Sequence, residues 1–346
     1  MEKKELRSVT SLGMFDMLKG FTILMVIWIH SVDAFVESTE QMASKGLSFF
    51  LCFYIAAGYG LRPRPLKTTL KQVKRMFLRP YVITAAGSLL AMFAVYSFGS
   101  RTLSELLRDG LPLLAGMLLG QMPEGEYFGF PVAPCGPIWF LLSLAESWIL
   151  VSLSLKKLGE KKTGILALLL CLLAPYYELA DPMPYVLNRL TIGFPGLYIG
   201  YLLQKKAWLE KRLPWWAWVL FALCFGFHKL DDLGLLFYLK PLRGITDYAV
   251  SFAVVYLFTH INRRYCLPVG VLEYIGHNSL IWLCLHTVEV YAAPWAYFIF
   301  LLQPHITIPP LVGTVVLMLL RSLMIWAGSY VIAFARNKLE EWGLIK

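Results

Sequence analysis

An all-α, polytopic transmembrane helix bundle of about ten spans is predicted by three features of the 346-residue sequence. With 58% hydrophobic and only 16% charged residues, the chain carries too much apolar surface for a soluble globule of its length. The apolar residues gather in runs of membrane-crossing length. Lys and Arg gather between alternate runs, so the net charge of +10 reads as membrane orientation rather than as nucleic-acid binding. No internal repeat, low-complexity tract or soluble domain interrupts the pattern, which makes residues 1–346 one integral-membrane domain.

The first span lies within residues 14–37, MFDMLKGFTILMVIWIHSVDAFVE. Its apolar run continues through His30 and Asp33 without a small-residue cleavage site, so it reads as an uncleaved span rather than a signal peptide. Further spans are expected at 46–61, 81–98, 137–155, 163–177, 186–203, 214–228, 245–261, 275–292 and 311–335. Alternating them places the basic loops 62–79, 156–162, 204–212 and 262–264 on one side with both termini. The positive-inside rule makes that side cytoplasmic. Residues 99–136 break the pattern, because LRDGLPLLAGMLLG is apolar but too short to cross. It reads as a re-entrant or interfacial segment on the outer side. The Gly-, Pro- and aromatic-rich QMPEGEYFGFPVAPCGP that follows suits an external lid or acceptor platform, and equally an ordinary connecting loop.

The chemistry-bearing residues concentrate in the first span. At about 100° per residue, His30 lies about 20° round the helix from Lys19, with Asp16, Asp33 and Glu37 within about 60° of the same face. If Lys19 marks the cytoplasmic boundary, a rise of 1.5 Å per residue puts His30 about 16 Å deep, near the middle of the hydrocarbon core. Ionisable groups there are costly and are functional candidates by default. A neutral imidazole at that depth can serve as a general base, and Asp33, one turn on, can hold its tautomer. Read alone, His30 would be a core histidine hydrogen-bonded to a neighbouring helix, and Asp33 an outer-interface charge.

In the most basic loop, Lys67, Lys71, Lys74 and Arg75 recur at three- and four-residue spacing and form one charged helical face. Anionic lipid accounts for part of such a face. Phosphate recognition is the other reading open to Arg75 and Arg79, since planar guanidinium groups suit bidentate phosphate contacts. Arg321 lies inside the last span and needs a buried carboxylate partner, for which Glu146, Asp247 and Glu289 are the candidates. Metal binding is not expected. The six cysteines stand singly, and His277 and His286 fall about 180° apart on a helix.

The pattern Asp16-x-x-Lys19-Gly20 followed by an apolar run into His30 resembles the first helix of the membrane-bound acyltransferase-3 family, which reads Asp-x-x-Arg-Gly, apolar residues, then His. Lys19 stands where Arg is usual, and Phe15 where many members carry a further Arg. Arg75 and Arg79 ahead of Pro80-Tyr81 resemble the family's Arg-x-x-x-x-Pro-Tyr, and Gly58-Tyr59 its Ser-Gly-Tyr, with Ala57 in place of Ser. Pro137-Ile-Trp139-Phe-Leu resembles a Leu-Trp-Phe-Leu start of a mid-chain span. Gly276-x-x-Ser279-Leu280 through Leu285-His286 resembles Gly-x-x-Ser-x-x-x-Tyr-Leu-x-His, with Trp282 near the aromatic position.

The resemblance implies O-acetylation: transfer of an acyl group, usually acetyl, from cytoplasmic acyl-CoA to a glycan or lipid-linked acceptor across a bacterial plasma membrane, as in polysaccharide modification. His30 and Asp33 are then the catalytic candidates, and Asp16, Lys19, Arg75 and Arg79 the acyl-CoA contacts. Trp139, Ser279 and His286 are candidates for structural or substrate-lining roles, as is Arg321, which the resemblance does not cover. Acetyl-CoA or another acyl-CoA would be a co-substrate, with no resident cofactor. A proton-coupled secondary transporter is the alternative, with the same buried ionisable residues as a proton relay.

Overall fold

The computed structural model describes residues 15–32, 47–98, 102–121, 124–176, 185–232, 239–265, 270–293, 295, 299 and 310–341. The described residues are almost entirely helical, as the sequence predicts. Helices α1 (Asp16–Val32), α2 (Leu47–Tyr59), α3 (Leu66–Val73), α4 (Arg79–Phe98) and α5 (Leu103–Leu119) precede a small hairpin, β1 (Gly125–Tyr127) and β2 (Phe130–Val132). After it come α6 (Trp139–Lys157), α7 (Gly159–Leu173), α8 (Tyr185–Lys205), α9 (Trp215–Asp232), α10 (Lys240–Tyr265), α11 (Gly270–His277), α12 (Ser279–Ala292) and α13 (Pro310–Glu341).

Among the described residues, three helical stretches are long and apolar enough to cross a membrane: Leu66–Val95, Gly136–Lys157 and Leu311–Lys338. The outer face of the last of them is apolar from Leu311 to Phe334. Along α13, Leu311, Val316, Leu319 and Leu323 are about half exposed or more, as lipid-facing residues are. Several buried hydroxyls are satisfied within their own helices, as where Thr22 donates to Leu18 O at 2.8 Å and Thr287 to Leu283 O at 3.0 Å.

Three local differences from the sequence reading have physical causes. The basic loop 62–79 is not a loop. Its residues form α3 and a single π turn, Lys74–Leu78, that runs into α4, with Lys67, Lys71, Lys74 and Arg75 exposed. The expected span 275–292 is broken at Asn278, whose backbone leaves the helical region at φ −96° and ψ 16°, so α12 alone spans Ser279–Ala292. Within 99–136, the apolar segment is helix α5, capped by Thr102 and Glu105 and exposing Leu107, Leu111, Leu114 and Leu118 at helical spacing. That stripe fits the interfacial placement. The aromatic-rich segment beyond it makes the hairpin, turned by Phe128 and Gly129 at φ 52° and 79°.

Close backbone approaches set the bundle's geometry. A Cβ at Gly276 would lie 1.6 Å from the Asp16 carbonyl oxygen, and one at Gly20 would lie 2.0 Å from that of Leu272, so α1 and α11 cross where neither carries a side chain. Gly58 makes the corresponding approach to Leu197 of α8, while Tyr59 packs edge-on against Phe15 at 5.1 Å. Gly276→Ala is therefore expected to cost about 1–3 kcal/mol through overpacking. Gly226→Ala, where an added Cβ meets nothing within 4 Å, should leave stability unchanged or slightly raised. Thermal unfolding of the two variants in matched detergent would check this, and equal midpoints would contradict the crossing.

Candidate functional site

The crossing of α1 and α11 joins two sequence motifs that lie far apart in the chain. Asp16 and Lys19 pair at 2.7 Å, and His277 Nδ1 lies 3.5 Å from the other carboxylate oxygen of Asp16. Lys19 also stands at the border of a cavity of about 410 Å³, within the range of sites for small organic ligands. Its walls are mostly aromatic and aliphatic, with Phe50 and Phe53 from α2 and Phe140 and Trp148 from α6. Lys19, Gln72 and Ser279 supply polar groups.

The cavity follows one face of each of two helices. It is lined by Phe15 just ahead of α1, by Lys19, Ile23 and Val26 on α1, and by Ser279, Leu280 and Leu283 on α12. The spacing of Lys19, Ile23 and Val26 keeps them within about 60° of one another round α1, and His30 is the next residue on that face, about 6 Å further along. On α12, His286 continues the face of Ser279 and Leu283 in the same way, about one turn beyond. The two imidazoles meet there, with ring centroids 5.3 Å apart and planes inclined by 55°.

A buried polar network holds the pair. His286 Nδ1 and Glu289 Oε2 are 3.0 Å apart, with side chains 1% and 3% exposed. Arg321 of α13 donates from Nε to Glu289 Oε1 at 3.0 Å and from Nη1 to the His30 carbonyl at 2.7 Å. Trp295 Nε1 also donates to Glu289 Oε1. A carboxylate engaged by a guanidinium only accepts hydrogen bonds, so Nδ1 of His286 carries the proton and its Nε2 keeps the lone pair. That Nε2 is buried without a hydrogen-bond partner among the described residues. Tyr291, further along α12, donates to Pro134 O at 2.6 Å and so fastens the segment after the hairpin to the same end of the bundle.

The sequence candidates fall into two groups. His30, His286 and Arg321 come together, and Lys19 and Ser279 line the cavity, whose walls on α1 and α12 end at Val26 and Leu283, about one turn short of the two imidazoles. Of the three carboxylates considered for Arg321, Glu289 is the partner. Arg75 and Arg79 are exposed outside the cavity, although Gln72 and Met76 of the same segment line it. Trp139 does not line the cavity; it packs against Phe50 at 5.1 Å, with the Arg189 guanidinium 5.2 Å from its ring. Asp33 and Glu37 lie outside the described residues. Sequence reasoning missed the dyad of Glu289 with His286. Their three-residue spacing was the available signal, but it carries meaning only once α12 is placed beside α1. No family model, curated protein or solved structure matches the chain.

Proposed function

We propose that this protein is a bacterial plasma-membrane acyltransferase, similar to the membrane-bound acyltransferase-3 family. It moves an acyl group, acetyl in the family's usual reaction, from cytoplasmic acyl-CoA to a hydroxyl of a cell-surface glycan or its lipid-linked precursor. The observation that carries the proposal is the convergence of the cavity-lining faces of α1 and α12 on His30 and His286. In this reading the chain crosses the bilayer about ten times with both termini cytoplasmic. The CoA phosphates meet Lys19 and the exposed cations Arg75 and Arg79, and Asp16 positions Lys19. The pantetheine arm fills the cavity, with Gln72 and Ser279 available to its amides. The thioester lies beside His30, which takes the acceptor's hydroxyl proton as oxygen attacks the carbonyl. Burial excludes water, which would otherwise compete as acceptor.

Filling the cavity tests the proposal. Ala57→Trp puts a large ring into a lining position and should abolish binding of a thioether analogue of acyl-CoA, measured by calorimetry, and with it transfer of labelled acyl groups to glycan. Unaltered binding would remove the cavity from the reading. The buried His286, Glu289 and Arg321 also suit a proton-coupled transporter. Proteoliposomes that move protons with a solute but show no transfer from acyl-CoA would establish that second reading.

A further inference from the structure

We infer that acyl transfer here is run by two imidazoles with different tasks, and that His286 supplies the proton that the departing thiolate needs. The inference rests on the acyltransferase reading. A thiolate released into a cavity walled by Phe50, Phe53, Phe140 and Leu283 has lost its hydration, and an unsolvated anion in such surroundings is far costlier than in water. It must be protonated where it forms. Lys19, the cation that lines the cavity, is at the far end from His30, about 16 Å along α1. Arg321 does not give up protons, and it is already committed to Glu289 and the His30 carbonyl.

His286 meets the requirement. Its Nε2 is buried, lacks a hydrogen-bond partner among the described residues, and belongs to a side chain on the α12 face that lines the donor cavity. Glu289 fixes the tautomer that leaves Nε2 able to receive a proton, and its negative charge stabilises the imidazolium that results. Arg321 holds the other oxygen of the same carboxylate, so the Glu289 charge is shared between the two partners.

The step balances as follows. The acceptor oxygen bonds to the thioester carbon while its proton passes to His30. The carbon–sulfur bond then breaks with its electron pair on sulfur. His30 passes the proton across to His286 Nε2, and His286 delivers it to sulfur, giving ester and free thiol with both rings neutral again. Glu289 is a positioning residue in this scheme.

Leaving-group chemistry provides the test. Acyl transfer is measured in nanodiscs with acyl-CoA and with a donor bearing the same pantetheine arm but a more acidic aromatic thiol, whose thiolate departs without a proton. With acyl-CoA, His286→Ala should lower turnover by about 10²- to 10⁴-fold. With the acidic-thiol donor that deficit should shrink by an order of magnitude or more, whereas the His30→Ala deficit should be the same with both donors. Glu289→Gln should show the His286 pattern in milder form, with Glu289→Asp partly rescuing it. Retained binding of the thioether analogue certifies folding, and His286→Gln replaces the alanine variant if that binding is lost. Equal deficits for the two donors in a folded variant, or wild-type turnover by His286→Ala, would overturn the inference alone. A wild-type protein that transfers from neither donor would overturn the acyltransferase reading as well.

Discussion

His30→Ala is expected to lower acyl transfer by about 10²- to 10⁴-fold while leaving the protein inserted and able to bind acyl-CoA. The separation of binding from turnover follows from where the side chain stands. Along α1 and just ahead of it the cavity is lined from Phe15 to Val26, so truncating His30 removes none of the contacts available to a pantetheine arm. Folding is spared as well. The bond that ties α13 to this turn of α1 runs from Arg321 to the His30 backbone carbonyl, which alanine retains, and the glycine crossing with α11 lies about three turns away. A loss confined to turnover therefore identifies the imidazole as acting in the reaction rather than in assembly. The measurement is transfer from labelled acyl-CoA in membranes matched for protein amount, alongside analogue binding. Wild-type turnover would return His30 to an ordinary core histidine.

The polar stripe of α1 was legible because ionisable groups are rare and costly in a membrane, so a few of them at helical spacing stand out against any apolar background. Arg321's need for a carboxylate was legible for the same reason, and so was the charged face of Lys67, Lys71, Lys74 and Arg75. Which apolar surfaces meet was not legible. In a soluble protein the hydrophobic face of a helix marks the core, whereas here lipid and core are equally apolar. Leu61 is fully buried and Leu118 is 75% exposed, and no feature of leucine distinguishes the two. Placing α1 against α11 and α12 depends on Gly20 and Gly276, and a glycine reveals a close approach only once its partner is known. The cavity and the dyad of His286 with Glu289 follow from that packing, which is why sequence reasoning reached His30 and stopped short of them.

Arg321→Met is expected to destabilise the fold by about 3–5 kcal/mol, the usual cost of stranding a buried charge. The pair it breaks is deeply enclosed, with the Arg321 and Glu289 side chains 5% and 3% exposed. Methionine keeps most of the aliphatic volume, so the loss isolates the guanidinium. Two connections disappear with it: the bond to Glu289 and the bond that ties α13 to the His30 carbonyl. Were these ordinary interhelical hydrogen bonds, the cost would be about 0.6 kcal/mol each. The larger value is expected because, among the described residues, His286 and Trp295 are then left to stabilise the charge of a deeply buried Glu289. The double variant Arg321→Met with Glu289→Leu removes both charges together. It should recover most of the lost stability, since replacing a buried ion pair by apolar groups is often neutral or better. Its acyl transfer should nevertheless remain low, because His286 has lost the carboxylate that sets its tautomer. Thermal unfolding of the wild type, both single variants and the double variant closes a cycle whose coupling term reads the pair directly. A single Arg321→Met protein as stable as the wild type would show that the pair does not hold these helices together.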